Sequence, residues 1–162
     1  MCGIAGWFSP APLTQQDQVP LQRMTAAIAH RGPDGSGHFI NQHVALGHVR
    51  LAIIDLEGGV QPMHSHDRRY SIIFNGEIYN YKELRQDLLD RGHCFLTHSD
   101  TEVIMELYRA SGWQGFSRLR GMYAFALWDQ QANTGILARD PLGIKPLFIS
   151  KNENELLFAS EA

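Results

Sequence analysis

The spacing of apolar residues restricts this chain to a fold that combines many strands with a few helices. Short segments rich in β-branched and aromatic residues recur along most of the sequence, and such segments are typical of strands. Helical spacing is confined to the stretches 21–30, 81–91 and 101–110. Because helices do not alternate regularly with the strands, the pattern favours an α+β fold with mainly antiparallel strands over a doubly wound parallel sheet.

The predicted strands lie on both sides of the two central helices. They cover 1–8, 37–40, 44–55, 69–75, 122–129, 135–140, 146–150 and 155–160. The segment 9–19 contains several Pro and Gln residues and is predicted to be a loop. Gly92 predicts the end of the second helix, and the pair Ser99 and Glu102 predicts a capping box at the start of the third.

Length and composition indicate one ordinary globular domain spanning residues 1–162. Domains of about 100–200 residues are common, and a chain of this size buries enough surface for one core. The formal net charge of −3 gives no basic surface, which argues against nucleic acid as a partner. No apolar run approaches the roughly 18 residues of a membrane helix, and no signal peptide is recognisable, so we expect a cytoplasmic protein without membrane contact.

The cysteines and histidines do not form a metal-binding pattern. Two cysteines, Cys2 and Cys94, are too few for a disulfide framework and have no CxxC spacing. A bridge between them stays open, but two reduced thiols are favoured in a cytosolic chain. The eight histidines lack HExxH spacing, and the close pair His64 and His66 fits a polar turn. We therefore expect no metal site.

Cys2 follows the initiator methionine directly, and this position permits a particular kind of catalysis. Removal of Met1 would leave a thiol and an α-amine on the same residue. An α-amine with a pKa of about 7.7–8 can accept the thiol proton, so nucleophile and base would be supplied together. The competing interpretation is that Cys2 is merely a small buried residue.

Three other segments carry polar groups that could bind a ligand. Asn75 and Gly76 are predicted to lie where a strand turns into a helix, where an amide side chain and a backbone N–H form an oxyanion hole; an ordinary type I′ turn is the alternative. Arg50 lies within an apolar strand and needs either a structural ion pair or a ligand carboxylate. Asp100 lies at the start of the third helix, where the helix dipole favours a carboxylate in any case.

Six motifs recur in order along the chain, namely Met1–Gly6, His30–Asp34, Gly47–Asp55, Asn75–Asn80, Ser99–Glu102 and Arg139–Leu147. Taken together, these motifs closely resemble one family, the class II glutamine amidotransferase domain of the N-terminal nucleophile type, in its asparagine synthetase branch. They occur in the family's order and span nearly the whole chain. The resemblance implies a four-layer αββα sandwich, in which two mainly antiparallel sheets lie between layers of helices.

The resemblance also implies a role for each candidate residue. Cys2 is implied to be the nucleophile, with its freed α-amine as the base. The Asn75 side chain and the Gly76 N–H are implied to hold the oxyanion. Arg50 is implied to bind the α-carboxylate of glutamine, and Asp100 its α-ammonium group.

Further residues receive smaller roles. Backbone groups at Leu51, Ile53 and Glu77 are implied by the resemblance to contact glutamine. Arg31 is expected to stabilise the loop in which it lies. A structural role is also expected for His48, with support of the site residues as the alternative, and Cys94 is expected to be a packed thiol.

The implied reaction is hydrolysis of L-glutamine to glutamate and ammonia through a thioester on Cys2. The chain would be the N-terminal part of a longer amidotransferase, and its ammonia would pass to a synthetase domain, with asparagine as the product. We expect no cofactor here, because the Ser-Gly-Gly-x-Asp-Ser loop of the ATP-binding synthetase domain does not occur in this sequence. ATP and magnesium are expected only in that other domain. The alternatives are an amidotransferase with another acceptor and a non-catalytic glutamine-sensing module.

Overall fold

In the computed structural model, which describes residues 1–51 and 59–162, two antiparallel sheets stack face to face. The first sheet has the strand order β2-β3-β1-β9-β8, and the second has the order β4-β5-β6-β7. The strands are β1 (Gly3–Phe8), β2 (Gly35–Asn41), β3 (Val44–Arg50), β4 (Met63–His64), β5 (Tyr70–Ile78), β6 (Gly121–Asp129), β7 (Thr134–Arg139), β8 (Phe148–Lys151) and β9 (Leu156–Ala159).

Helices cover the outer face of each sheet. They are α1 (Gln18–Ala27), α2 (Tyr81–Asp90) and α3 (Asp100–Ser111), with short 3-10 helices at Gln15–Asp17, Ala29–Arg31 and Gly112–Arg118. Helix α1 packs on the first sheet, where Leu21 contacts Trp7 and Ala45. Helices α2 and α3 pack on the second sheet through a larger cluster of aliphatic and aromatic side chains. The predicted αββα order of layers is therefore confirmed.

Apolar side chains fill the space between the two sheets. They include Ile4, Val44, Leu46, Ile73, Ala124, Ala126, Trp128 and Phe158. Each strand contributes alternate residues, because successive side chains of a strand point to opposite faces. Burial of this apolar surface stabilises the contact between the sheets.

The predicted strands are found, with changes at their ends. Strand β5 extends three residues beyond the predicted end at Asn75, because it pairs with β6 along its whole length. Strand β3 ends at Arg50, and the rest of the predicted strand, 52–55, lies outside the described residues. The two-residue strand β4 was not predicted, since so short a segment has no recognisable period.

The helix predictions are confirmed in position but not in every terminus. The segment 9–19 is not all loop, because Thr14 and Asp17 form a capping box and α1 starts at Gln18. Gly92 has a φ of 87° directly after α2, as expected for a glycine that ends a helix. No helix among the described residues is long and apolar enough to cross a membrane.

Of the predicted capping box at α3, the Ser99 cap is confirmed and the contact of Glu102 with the Ser99 backbone is wrong. The Ser99 hydroxyl accepts a hydrogen bond from the N–H of Thr101, as expected for an N-cap. The Glu102 carboxylate instead accepts hydrogen bonds from the N–H groups of Leu96 and Thr97, at 2.8 and 2.7 Å. Glu102 therefore fixes the loop that leads into α3.

Candidate active site

Strand β3 shows how the apolar space between the sheets becomes polar at one end. Val44 and Leu46 lie in this space, and the alternation of the strand places His48 and Arg50 on the same face. On the neighbouring strand β1, Ile4 lies in the same space, and the alternation brings Cys2 to the same end. The first sheet therefore presents a thiol and a guanidinium beside each other.

The second sheet presents complementary groups at that end. Ile73 of β5 packs between the sheets, so Asn75 and Glu77 continue its face. Met122 does the same on β6, where it follows the face of Ala124 and Ala126. The polar ends of both sheets thus face one another.

A cavity of about 400 Å³ lies between these polar ends. It contains seven of the eight predicted site residues, namely Cys2, Arg50, Leu51, Asn75, Gly76, Glu77 and Asp100. The eighth, Ile53, lies outside the described residues. Residues that are far apart in the sequence are therefore brought to one place by the pairing of β1 with β3 and of β5 with β6.

The Cys2 thiol is held against the backbone of Leu51. The Leu51 N–H donates to Cys2 Sγ over 3.4 Å, and the Leu51 carbonyl oxygen lies 3.5 Å from the same sulfur. Cys2 and Cys94 are both free thiols, so the bridge between them does not form. Cys94 is exposed, and its predicted packing in the interior is wrong.

Arg31 holds the carbonyl end of the same residue. Its Nε donates to the Cys2 carbonyl oxygen over 3.1 Å, and its Nη1 donates to Glu161 over 2.7 Å. The expectation that Arg31 serves its own loop therefore missed its main contact. The arginine joins the start of β1 to the segment after β9.

Asn75 and Gly76 do not lie in a turn, so both turn predictions for this pair are wrong. They lie inside β5 and pair with Ala124 and Tyr123 of β6. A side chain on Gly76 would collide with the backbone, since its Cβ would lie 2.2 Å from the Met122 carbonyl oxygen. Glycine is therefore required by the close approach of β6 rather than by a turn.

The free side of β5 explains why Gly76 can still offer its N–H. In an antiparallel strand, alternate residues direct their N–H groups to opposite neighbours. The N–H of Phe74 is taken by Gln61 Oε1 at 2.6 Å, and that of Ile78 by Asp100 Oδ2 at 3.0 Å. Both groups point away from β6. The N–H of Gly76 lies between them in the alternation and is directed to the same side, where the cavity is.

The Asn75 amide is the most informative polar group of the cavity. Its side chain is 1% exposed, and Nδ2 has no hydrogen-bond partner within residues 1–51 and 59–162. A buried amide donor without a partner is costly, because it has lost its water and gained nothing in exchange. Such a group at a cavity wall is suited to a ligand oxygen.

Asp100 begins α3 at the other side of the cavity. It is 4% exposed, and burial raises its pKa above the usual range for a carboxyl group. Hydrogen bonds from backbone N–H groups, including that of Ile78, oppose this shift, and the charge of Glu77 adds to it. A buried carboxylate here would gain from a cationic group in the cavity. Arg50, on the facing sheet, supplies the corresponding cation for an anionic group.

Several lining residues were not predicted to belong to the site. They include Gln61, Phe74, Thr101, Met122, Ile144 and Lys145. The last two belong to the Arg139–Leu147 motif, to which the sequence assigned no role. Asp140 shapes this loop, since its carboxylate accepts hydrogen bonds from the N–H groups of Ile144 and Lys145, at 2.9 and 3.0 Å. An aspartate within a glycine- and proline-containing loop motif is the signal in the sequence that could have pointed to this ordered loop.

Within the described part of the chain, no cluster of three or more His, Cys, Asp or Glu side chains could hold a metal ion. The cavity combines a thiol, an unpaired amide donor, a guanidinium and a carboxylate. These groups suit a small zwitterion that carries an amide or acyl group.

Comparison of the whole sequence with known proteins agrees with the family resemblance of the motifs. Residues 1–162 match the family described as the glutamine amidotransferase domain. Asparagine synthetase [glutamine-hydrolyzing] 1 of Bacillus subtilis is 48% identical over 163 residues, which cover 99% of this chain and 26% of that protein. Asparagine synthetase B [glutamine-hydrolyzing] of Escherichia coli is 39% identical over 166 residues, which cover 99% of this chain and 29% of that protein.

A solved structure supports the fold. Glutamine phosphoribosylpyrophosphate amidotransferase from B. subtilis superposes with a TM-score of 0.76 and 28% identity, over 98% of this chain and 42% of that one. The chain thus spans between about a quarter and two fifths of the length of these relatives. The match over its full length shows that the chain belongs to the glutamine amidotransferase domain family.

Proposed function

We propose that this domain hydrolyses L-glutamine with Cys2 as the nucleophile once Met1 has been removed. The observation that supports this most directly is the buried amide Nδ2 of Asn75, which has no partner in the described structure and borders the same cavity as Cys2. An unpaired donor beside a thiol is the arrangement expected for a group that binds an oxyanion.

The first half of the reaction forms a covalent intermediate. The α-amine of Cys2 takes the thiol proton, and the thiolate attacks the carbon of the glutamine side-chain amide. The carbonyl oxygen becomes an oxyanion, which accepts hydrogen bonds from Asn75 Nδ2 and the Gly76 N–H. When the carbonyl reforms, the C–N bond breaks, and the proton held by the α-amine leaves with ammonia. A γ-glutamyl thioester remains on Cys2.

The second half releases glutamate. Water loses a proton to the α-amine as its oxygen attacks the thioester carbon. The same two donors hold the second oxyanion, and its collapse breaks the C–S bond. The proton returns to the sulfur, and the starting state is restored.

The amino-acid end of glutamine is assigned to the other side of the cavity. Arg50 would bind the α-carboxylate through two parallel hydrogen bonds, and Asp100 would pair with the α-ammonium group. Backbone groups at Leu51, Ile53 and Glu77 would complete the contacts. The buried position of Asp100 supports this assignment, because an ammonium group offsets the cost of its charge.

We further propose that the ammonia serves an asparagine synthetase, in which a separate synthetase domain holds ATP and magnesium. The support is the identity of 48% and 39% to two enzymes named as glutamine-hydrolysing asparagine synthetases. No cofactor is assigned to the domain described here. A free Cys2 thiol is required throughout, so a reducing compartment such as the cytoplasm is the proposed location.

The test is to trap the intermediate on the processed chain. Glutamine should yield glutamate and ammonia in equal amounts, and acid quenching should leave a γ-glutamyl adduct that maps to Cys2 by mass spectrometry. Cys2→Ala should abolish both signals, whereas Cys94→Ala, at an exposed position, should change neither. Turnover by Cys2→Ala at the rate of the parent chain would refute the proposal.

A further inference from the structure

We infer that Gln61 and His48 are positioning residues, which bind the backbone N–H and the backbone carbonyl of Phe74 and thereby aim the oxyanion donor Asn75. This inference rests on the proposed function, since it concerns how that site is assembled. Neither side chain needs to touch the substrate. Both act through the strand that carries Asn75.

The need for such residues follows from where β4 begins. Strand β4 pairs with β5 only at Met63 with Ile72 and at His64 with Ser71. At Phe74, no strand within residues 1–51 and 59–162 therefore lies beside the edge of β5 that faces away from β6. An unpaired peptide group at a buried position is destabilising, so these groups require other partners.

Two side chains take the place of the missing strand. Gln61 Oε1 accepts the hydrogen bond from the Phe74 N–H over 2.6 Å. On the carbonyl side, His48 Nε2 lies 3.2 Å from the Phe74 oxygen. Both backbone polar groups of Phe74, its N–H and its carbonyl, are thus fixed directly before Asn75.

The chemistry of His48 suits a fixed donor. A carbonyl oxygen can only accept, so the hydrogen must reside on Nε2 of His48. Burial lowers the pKa of His48 to about 4, the contact with Phe74 opposes this, and the charge of Arg50 adds to it. The imidazole is therefore neutral near pH 7 and keeps the same tautomer while it holds Phe74.

Gln61 also links the two ends of the proposed glutamine site. Because Oε1 faces the Phe74 N–H, the amide nitrogen faces Thr101 and lies 3.4 Å from its hydroxyl oxygen. Thr101 follows Asp100 at the start of α3. One side chain therefore connects the strand of the oxyanion donors to the helix of the predicted ammonium-binding carboxylate.

The backbone of Gln61 is fixed as well. A Cβ on Gly37 of β2 would lie only 2.1 Å from the Gln61 carbonyl oxygen, so the two backbones are in close contact. Gln61 itself is 7% exposed. A side chain anchored at both ends can set the position of Phe74 with little freedom, and a displacement of about 1 Å at a catalytic group can cost about 10²-fold in rate.

A double-mutant cycle tests whether Gln61 acts through Asn75. The processed chain is assayed for glutaminase activity as the parent, Gln61→Met, Asn75→Ala and the double variant. Gln61→Met should lower kcat by about 10-fold to 10²-fold and change KM by less than about threefold. In the Asn75→Ala background the same substitution should change kcat by less than about threefold, because residues that act as a unit are not additive.

Matched variants separate positioning from general stability. Ser65 Oγ accepts a hydrogen bond from the Tyr70 N–H at the far end of the same strand, at 2.9 Å. Ser65→Ala therefore removes the same kind of contact, and kcat should stay at the parent value. Gln61→Glu keeps an acceptor for Phe74 and should recover part of the lost kcat. If Gln61→Met does not fold, His48→Leu releases the Phe74 carbonyl instead of the Phe74 N–H and enters the same cycle.

The outcomes distinguish failure of the positioning role from failure of the oxyanion site. Full additivity of the Gln61 and Asn75 substitutions, or an equal loss in Ser65→Ala, would overturn the positioning role while leaving the glutaminase assignment intact. An unchanged kcat in Asn75→Ala would instead remove the oxyanion site on which the inference rests. Loss of kcat that disappears in the Asn75→Ala background would support it.

Discussion

The Nε of Arg31 donates a hydrogen bond to the Cys2 carbonyl oxygen over 3.1 Å, while Nη1 of the same guanidinium binds Glu161 at 2.7 Å. The proposed nucleophile is therefore anchored from behind by a side chain on a different segment. The Arg31 side chain is only 10% exposed, so water cannot easily replace it.

Loss of this anchor should affect turnover more than binding. Arg31→Met leaves the Cys2 carbonyl without its donor, and we expect kcat to fall about tenfold or more, with a smaller change in KM. Arg31→Lys should not restore the rate, because one ammonium group cannot reproduce the two directed hydrogen bonds. Arg118→Met, which removes an exposed ion pair with Asp87, is the control. Equal kcat in Arg31→Met and the control would contradict the anchoring role.

Removal of the Asn75 amide should be the most costly change that leaves the thiol in place. Loss of one oxyanion donor typically costs about 10²–10³ in kcat, because the hydrogen bond strengthens as charge develops. We expect Asn75→Ala to show this loss, with KM for glutamine nearly unchanged. Steady-state kinetics on the processed chain measure both. Asn80→Ala is the control and should keep the parent rate. Asn80 lies between β5 and α2, and its side chain binds the backbone of Arg118 and Arg120.

Arg50→Lys tests the carboxylate clamp. Lysine keeps the positive charge but loses the planar pair of donors, so KM for glutamine should rise substantially while kcat falls less. A glutamine analogue without its α-carboxylate should be a poor substrate for the parent chain and should lose little further in Arg50→Lys. If the parent chain hydrolyses glutamine and that analogue equally well, Arg50 does not bind the carboxylate.

Asp100 should make glutamine binding depend on pH. Burial raises its pKa, and only the ionised form can pair with an ammonium group. KM should therefore rise as the pH falls through this raised pKa, and the rise should begin above the pH at which an ordinary carboxyl group titrates. In Asp100→Asn, KM should be high and should no longer show this pH dependence. Identical KM profiles for the two chains would exclude Asp100 from the binding step.

The raised pKa of Asp100 also affects the pH dependence of folding stability, in the direction opposite to that of most carboxyl groups. Because the folded state favours the protonated form, this residue contributes stability that is present at low pH and is lost as the pH rises through its folded pKa. Glutamine should reverse this loss, since its ammonium group favours the carboxylate. Thermal unfolding with and without glutamine, measured across pH, reports the difference.

Most elements of this fold could be predicted from the residue pattern, because periodicity and helix ends are local properties, whereas the αββα order of the layers was implied only by the resemblance to a family. The helix 81–91 and its end at Gly92 are examples, since both depend on residues within one or two turns. The turn assigned to Asn75 and Gly76 was wrong for a related reason. Asn-Gly is a strong local turn signal, but here the pairing of β5 with β6 overrides it.

The candidate site could be predicted only in part from the residues alone. Only the resemblance to a family predicted that Cys2, Asn75 and Asp100 share one site. Their proximity in space depends on contacts between segments that are distant in the sequence, which local patterns do not reveal. One general signal was available on β3. Every second residue of this strand lies on the same face, and along that face Val44 and Leu46 are apolar whereas His48 and Arg50 are polar. No such signal marked Gln61, whose proposed role depends on where β4 begins.

The measurement that tests the account most directly is the activity of the same chain with and without Met1. While Met1 is attached, the nitrogen of Cys2 is an amide without a basic lone pair, so it cannot take the thiol proton. General-base assistance is commonly worth about 10²–10⁴ in rate. After separation of the two forms and verification by intact mass, we predict glutaminase activity and alkylation of Cys2 by a glutamine-like electrophile only in the processed form. Equal activity with Met1 present would contradict the N-terminal nucleophile mechanism.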